Sequence, residues 1–316
     1  MALQKIGKKG GEKRLAEAKA ARQPYEPQWF MNLAMFQGQQ WLAWSGNGLY
    51  KPNTGDRVTI TDNRIRPAVN AEVARVSKTR PGWSATPRQL GDQAVSDALA
   101  SMRVMDWAWD SFKMARARRR AIRWSRITGA GFIKTVWDPN DQGGVEVVIG
   151  PDGRPLEHPT EKRPLYKGEM PAVESMQETT TKRVGGGDCK LFVRSPFDIY
   201  PDPLATTLDD ARWIIDESVR SPEYIRETYG KDITPDAAAD VGIVESRMSR
   251  RGVDASRGPK AGVRVFELWE APSKTNPQGR RLVWCSGGVL YEGPNEYKRI
   301  PYTMFEGKEV PGRFWP

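Results

Sequence analysis

Six carboxylate residues between positions 198 and 217 are the side chains whose type and spacing best suit binding of a hard cation. They are Asp198, Asp202, Asp209, Asp210, Asp216 and Glu217. An EF-hand loop needs oxygen ligands at fixed positions, and this segment does not have that spacing. Asp202 precedes Pro203, which is typical of a turn, and Asp209 and Asp210 precede the apolar residues 213–215 of an expected strand. The pattern therefore favours structural roles, and we predict no metal site.

Nucleophilic and phosphate-binding chemistry have little support in the sequence. His158 is the single histidine, which disfavours Ser-His-Asp, Cys-His and multi-histidine metal sites. Cys189 and Cys285 are far apart and have neither a zinc-ligand spacing nor a disulfide framework. The glycines at 185–187 lack the GxxxxGK[ST] pattern of a phosphate loop. We therefore predict a protein that is not an enzyme and that needs no cofactor.

Basic side chains carry most of the potential for binding. The formal net charge is +10, which predicts attraction to a polyanion or a basic exterior. Two segments concentrate this charge, and both are candidates for contact with a polyanion or with another subunit. The candidate residues are Lys5, Lys8, Lys9, Lys13, Arg14, Arg116, Arg119, Arg120 and Arg123. For the arginines, a solvated face, intersubunit salt bridges and nucleic-acid binding all remain open.

The elements that must position these residues follow from periodicity. Residues 1–22 lack a core-forming pattern, so we expect a solvated tail or an arm lying on a neighbouring subunit or on DNA. Residues 92–128 carry apolar side chains every three or four positions, which predicts one long amphipathic helix. A strand over 132–137 and a Gly-, Pro- and Lys-rich surface excursion over 140–187 follow. Ser221 before Pro222 and Glu223 predicts a helix start.

The last third of the chain predicts a small β region. Residues 263–270, 281–285 and 288–291 read as strands, with a turn at 276–279. Exposed strand edges favour aggregation unless they are paired or covered. We therefore expect a neighbouring subunit to pair or cover these edges.

Tryptophan is spread along the whole chain, with 12 residues in all. Stacking on single-stranded bases would require aromatic side chains clustered beside cations. Dispersion instead favours roles in the core and in subunit contacts, where tryptophan is enriched. No apolar run approaches the roughly 18 residues that a membrane-spanning helix needs, so we expect no membrane association.

Five segments, taken in order, resemble the portal proteins of tailed bacteriophages. They are 29–41 (WFMNLAMFQGQQW), 61–87 (TDNRIRPAVNAEVARVSKTRPGWSATP), 197–230 (beginning FDIYPDP), 265–270 (VFELWE) and 300–316 (IPYTMFEGKEVPGRFWP). No segment alone is diagnostic of the family, and the resemblance rests on the occurrence of all five in this order. It covers most of the chain from about Tyr25 onward.

The resemblance implies an α+β fold, namely a multi-lobed portal-like subunit with an α/β wing, a stem-proximal helix and a small β-rich clip. The implied regions are a basic N-terminal arm (1–23), a wing-like α/β region (24–202), a connector or stem-proximal region (203–259), a clip-like β region (260–306) and the start of a return segment (307–316). The family pattern continues past this point with a returning helix, further wing and crown, so we expect a longer product or a second chain to supply them. The candidate clip or adaptor-docking residues are Trp269, Asn276, Gln278, Arg280, Arg281 and Trp284.

The resemblance also implies a structural function. Portal subunits form a ring, usually of twelve, at one vertex of the virion capsid, after assembly in the host cytoplasm. Double-stranded DNA is packaged and ejected through the ring, and the implied protein partners are the major capsid protein, the head-tail adaptor and the terminase large subunit. Because phosphate contacts would slow sliding DNA, we expect the excess basic charge to lie off the channel wall. The alternative, supported by charge alone, is a basic cytoplasmic nucleic-acid-binding protein without catalytic activity.

Overall fold

The computed structural model describes residues 5–45, 48–53, 55, 58–87, 91–138, 145–149, 180–184, 187–235, 262–307 and 310–316. The chain forms two compact units. The first contains residues 1–134 and 192–316, and the second contains residues 135–191. Helices and antiparallel sheets occur together, so the fold is of the α+β class.

Six helices occur among the described residues. They are α1 (Gly7–Arg22), α2 (Glu26–Gln37), α3 (Ile65–Ser77), α4 (Asp92–Ser111), α5 (Met114–Thr128) and α6 (Pro222–Tyr229). Helix α2 ends at Gly38, whose φ of +90° is the left-handed conformation that glycine adopts without a steric penalty. Helix α6 begins as predicted, since the Ser221 hydroxyl accepts a hydrogen bond from the Tyr224 amide at 3.2 Å. None of the described helices combines the length and the apolar composition that crossing a bilayer requires.

The predicted single helix over 92–128 is wrong, because the chain breaks between α4 and α5. Lys113 adopts φ 52° and ψ 41° at the break, in the left-handed region that costs an ordinary residue about 1–2 kcal/mol. The left-handed residue changes the direction of the chain, and α5 then packs against α2 and α3. Both helices keep the predicted amphipathic pattern, and periodicity alone does not reveal a break of two residues.

The described strands are β1 (Ala43–Ser45), β2 (Gly48–Tyr50), β3 (Ala130–Asp138), β4 (Val145–Ile149), β5 (Thr180–Val184), β6 (Asp188–Arg194), β7 (Ile199–Pro201), β8 (Trp213–Arg220), β9 (Val263–Glu270), β10 (Arg280–Cys285), β11 (Gly288–Gly293) and β12 (Tyr302–Glu306). Five of them form an antiparallel sheet in the order β11-β10-β9-β8-β7. A three-stranded sheet has the order β12-β3-β6, and β1 pairs with β2.

The segment predicted as a clip-like β region, 260–306, does not form a sheet of its own. Strand β9 is central, pairing with β10 on one side and with β8 along its whole length on the other, from Trp213–Glu270 to Arg220–Val263. The strands themselves were predicted from local patterns. Their pairing with β8 was not, because it joins segments that are distant in sequence.

Helix α1 packs on this sheet, and the expectation that residues 1–22 are a solvated tail or an arm on another molecule is wrong. Leu15 and Ala18 share a buried cluster with Trp284. Gly11 lies so close that an added Cβ would be 3.1 Å from Leu282 and Trp284. The buried residues of α1 are Gly11, Leu15, Ala18 and Arg22, of which only leucine is strongly hydrophobic. Average hydrophobicity therefore hides this packing.

Aromatic rings join α2, β3 and the C-terminal segment in a second part of the core. The ring centroid of Trp29 lies 4.8 Å from that of Trp315 and 5.5 Å from that of Phe197. The ring centroids of Phe132 and Trp315 are 6.0 Å apart. Phe314 and Trp315 are buried. The predicted return segment, 307–316, thus contributes apolar anchors to the first unit.

Half of the tryptophans are buried, which fits the expected core role for those residues. The buried ones are Trp29, Trp109, Trp213, Trp269, Trp284 and Trp315, and the exposed ones are Trp41, Trp107 and Trp137.

The second unit contains a short antiparallel pair, β4 with β5, in register from Val145–Val184 to Ile149–Thr180. The Lys190 ammonium and the Asp138 carboxylate form an ion pair at 2.6 Å. Most of the predicted surface excursion over 140–187, including His158 and the glycines at 185 and 186, lies outside the described residues.

Candidate functional site

Four of the predicted basic contacts lie together on one exposed face of α5. Arg116, Arg119, Arg120 and Arg123, here called the arginine face, are all exposed. They are three or four residues apart, which places them side by side on a helix. Among the described residues, none of their guanidinium groups has an ion-pair or hydrogen-bond partner. The arginine face is therefore available to an anionic or carbonyl-rich partner.

The other two arginines of α5 point inward and have structural roles. Arg118 donates to the carbonyl oxygens of Val76 at 2.7 Å and Thr79 at 2.8 Å. Arg126 donates to the Gly307 carbonyl at 2.8 Å and pairs with Glu72 at 3.2 Å. The run of arginines is thus divided by helical geometry into a binding face and a packing face.

The candidate residues on α1 are likewise divided between solvent and the protein. Lys5, Lys9 and Lys13 are exposed. Lys8 donates to the Ser286 carbonyl at 2.7 Å, and Arg14 pairs with Glu270 at 3.2 Å. Two of the five predicted contacts therefore anchor α1 to the sheet.

The candidate docking residues on β9 and β10 include some that the core encloses. Trp269 and Trp284 are each 1% exposed, and Arg280 is 4% exposed. These three side chains could contact another protein only if the sheet opened. Arg281 is half-buried beside Trp269, with its guanidinium 4.9 Å from the ring centroid.

The predicted turn between β9 and β10 is confirmed. The Asn276 carbonyl accepts from the Gly279 amide at 3.0 Å, and Gly279 has φ +63°. An added Cβ at Gly279 would also lie 2.6 Å from the Glu270 carbonyl oxygen. Both the positive φ and this close approach therefore require glycine at the position. Gln278 is exposed and Asn276 is half-buried. Unlike Trp269, Trp284 and Arg280, these two candidate docking residues are accessible at the surface.

A buried charge cluster, which the sequence analysis did not predict, joins the two larger sheets of the first unit. Lys134 on β3 contacts Asp216 on β8 at 3.4 Å and pairs closely with Glu267 on β9. The same Asp216 oxygen, Oδ2, accepts from Arg194 at 3.1 Å and from the Tyr302 hydroxyl at 2.9 Å. A signal was present in the sequence, because each of these acids and Lys134 interrupts an apolar strand.

The pKa values within the buried charge cluster follow from its geometry. Burial by itself raises the pKa of Glu267, but Lys134 and Arg281 outweigh it and lower the pKa to about 2. Arg281 donates to Glu267 at 2.8 Å. Burial and the nearby Asp216 carboxylate both raise the pKa of Tyr302, so the phenol stays protonated and donates. Glu267 is therefore ionised and Tyr302 is protonated near neutral pH.

A second buried ion pair fixes the end of α1. Arg22 is 1% exposed, and its Nε and Nη2 donate to Glu26 at 3.0 and 2.8 Å. Its Nη1 donates at 2.8–3.1 Å to the carbonyl oxygens of Pro196, Phe197 and Ile199. The side chain thereby joins α1, α2 and the turn that precedes β7.

Five of the six carboxylates between 198 and 217 accept hydrogen bonds within the fold, and the sixth, Asp209, is exposed. Asp198 accepts from the Ser195 hydroxyl at 2.7 Å, and burial raises its pKa. Asp202 and Asp210 accept backbone amides in turns, while Glu217 accepts from the Tyr200 hydroxyl at 2.6 Å. Across the described ranges, no three His, Cys, Asp or Glu side chains are grouped as metal ligands.

The two cysteines are free thiols. Cys285 is buried and Cys189 is half-buried. Burial, and then the neighbouring Asp188 carboxylate, raises the pKa of Cys189. This disfavours the thiolate form that a cysteine nucleophile needs.

Residues 13–154 match the sequence model of the Phage P22-like portal protein family. The match begins within α1 and runs through α5 and β3, so it includes the arginine face and Lys134 of the buried charge cluster. Among curated proteins, none matches the chain. Portal proteins are structural components of the head-tail connector and act without catalysis. The predicted resemblance to the portal proteins of tailed bacteriophages is thus confirmed over residues 13–154.

Proposed function

We propose that this chain is a subunit of a closed ring at a capsid vertex, through which double-stranded DNA is packaged and ejected. The terminase large subunit and the head-tail adaptor dock on the same ring in turn, and the major capsid protein surrounds it. The observation that carries the proposal is the P22-like portal match over residues 13–154. The buried ion pairs suit this function, because a ring under load needs rigid subunits and no catalytic group.

The assignment of regions is part of the proposal. We assign residues 24–202 to the wing, 203–259 to the connection with the stem and 260–306 to the clip. The sharing of one sheet by β8 and β9 supports a clip that moves with the body of its subunit. In that arrangement Gln278, exposed in the turn between β9 and β10, is accessible to the adaptor.

The distribution of basic charge supports a channel that lets DNA slide. If all four residues of the arginine face contacted phosphates, DNA affinity would fall steeply with salt. The slope of log affinity against log salt concentration would be roughly −4. Contacts of that strength in each subunit would hold the DNA in place. We therefore assign the arginine face to a surface away from the channel wall.

A second candidate function is nucleic-acid binding by a basic, non-catalytic protein of the host cytoplasm. The exposed arginine face favours it. It predicts a monomer or dimer that binds double-stranded DNA with a steep dependence on salt.

Negative-stain electron microscopy of the purified full chain separates the two candidates. The portal proposal predicts annular particles with a central channel. A field of small particles without rings, together with salt-dependent retention of double-stranded DNA by the protein, would favour the second candidate.

A further inference from the structure

Helix α4 presents an apolar face that the described part of the chain leaves exposed. Val95, Leu99 and Met105 are 48%, 52% and 44% exposed, and Met102 between them is half-buried. Their spacing of three and four residues places them in one stripe along the helix. Trp109 continues the stripe and is the one buried residue of α4. An exposed stripe of this kind is characteristic of an interaction site.

The two neighbouring helices carry opposite charges. Helix α4 contains four aspartates and one arginine, which gives it a formal charge of −3, whereas α5 contains six arginines and no acid. Arg80 pairs with Asp106 at 2.9 Å and with Asp110 at 3.3 Å, which leaves α4 acidic. The opposite charges make α4 and α5 suitable partners. Within the described part of one chain, however, the arginine face of α5 forms no ion pair with the aspartates of α4.

We propose that the exposed stripe of α4 in one copy docks on the arginine face of α5 in the next copy. The proposal rests on the proposed ring and assigns its contact surface. Two different surfaces of the same chain meet, so the contact is head-to-tail, and such a contact closes into a ring when its rotation permits. The aliphatic stems of Arg119 and Arg120 cover the apolar side chains, while their guanidinium groups meet the aspartates of α4.

A second copy fits these two surfaces better than nucleic acid does. Phosphates would satisfy the arginine face, but they offer nothing to Val95, Leu99 and Met105. A second copy satisfies both surfaces with one contact.

The test uses two full-length variants and one matched control. Leu99→Lys places a charge in the apolar stripe of α4 and leaves α5 unchanged. The quadruple variant Arg116→Glu, Arg119→Glu, Arg120→Glu, Arg123→Glu reverses the arginine face and leaves α4 intact. Leu204→Lys is the control, because Leu204 is 84% exposed and lies outside both helices. Circular dichroism verifies that each variant is folded.

The expected results follow from the head-to-tail geometry and are read by native mass spectrometry. The wild type and Leu204→Lys assemble, whereas the other two variants each need at least about tenfold more protein for half assembly. A mixture of these two variants gives heterodimers that do not grow, because each retains the one surface that the other lacks.

Three outcomes would overturn the proposal, and they are distinguishable. If the wild type forms rings and both variants do so equally well, this contact is wrong and the ring proposal stands. If the quadruple variant assembles normally but loses retention of double-stranded DNA, the arginine face is a nucleic-acid site. If the wild type remains a monomer, the ring proposal and this contact fail together.

Discussion

Neutralising Glu267 should destabilise the protein in a way that depends on pH. Lys134 and Arg281 lower the pKa of this carboxyl from 4.5 to about 2. Each pKa unit corresponds to about 1.36 kcal/mol, so ionised Glu267 contributes about 3 kcal/mol. Since the folded-state pKa is below the unfolded one, this contribution is present above pH 4.5 and is lost as pH falls toward 2. We expect Glu267→Gln to lose about 3 kcal/mol at pH 7 and roughly half of that at pH 3.

Urea unfolding followed by tryptophan fluorescence measures this difference, with Glu306→Gln as the matched control. Glu306 is an exposed residue of β12, and its neutralisation should change stability by less than about 0.5 kcal/mol. Equal effects of the two substitutions, or an effect of Glu267→Gln that does not shrink in acid, would refute the assignment of a buried charge cluster.

Three further substitutions test local features of the fold by the same unfolding assay. Gly131→Ala should destabilise by about 1–3 kcal/mol or more, because its Cβ would lie 2.2 Å from the Ala121 carbonyl oxygen; an unchanged midpoint would contradict the close packing of α5 on β3. Ser221→Ala should cost about 1 kcal/mol through loss of the α6 cap, whereas Ser221→Asp should retain most of the stability. Lys113→Gly should stabilise by up to about 1 kcal/mol by removing left-handed strain; a loss of stability would argue against the break between α4 and α5.

Local patterns predicted most strands and the start of α6, because these depend on neighbours in sequence. Strands β9, β10 and β11 and the turn at Asn276 were predicted within a few residues. Their place in a sheet with β7 and β8 was not, since a strand pattern does not state its partner.

Helix α1 shows why composition misleads for a basic segment. Its basic composition predicted a solvated tail or an arm on another molecule, and yet Leu15, Ala18 and Arg22 are buried in this chain. Two contacts made by long side chains, from Lys8 and Arg14, reinforce this packing. A helix can pack on a sheet through four buried residues while the rest of its surface stays highly charged.

The basic residues were predicted by type, but their roles required the structure. Arg118 and Arg126 pack inward, whereas Arg116 and Arg123, which belong to the same run, remain exposed. The buried charge cluster around Lys134 was missed for a related reason. A charge inside an apolar strand signals a buried partner, but only the tertiary fold reveals which residue that partner is.

The mass of the assembled particle decides whether this chain forms a ring. Native mass spectrometry of the purified full chain at micromolar concentration should give one dominant species at a high multiple of the 35.5 kDa subunit. The proposed portal function predicts a closed ring, expected to contain twelve subunits, that persists on dilution. A species of 35.5 kDa at every concentration, with no larger assembly, would contradict it.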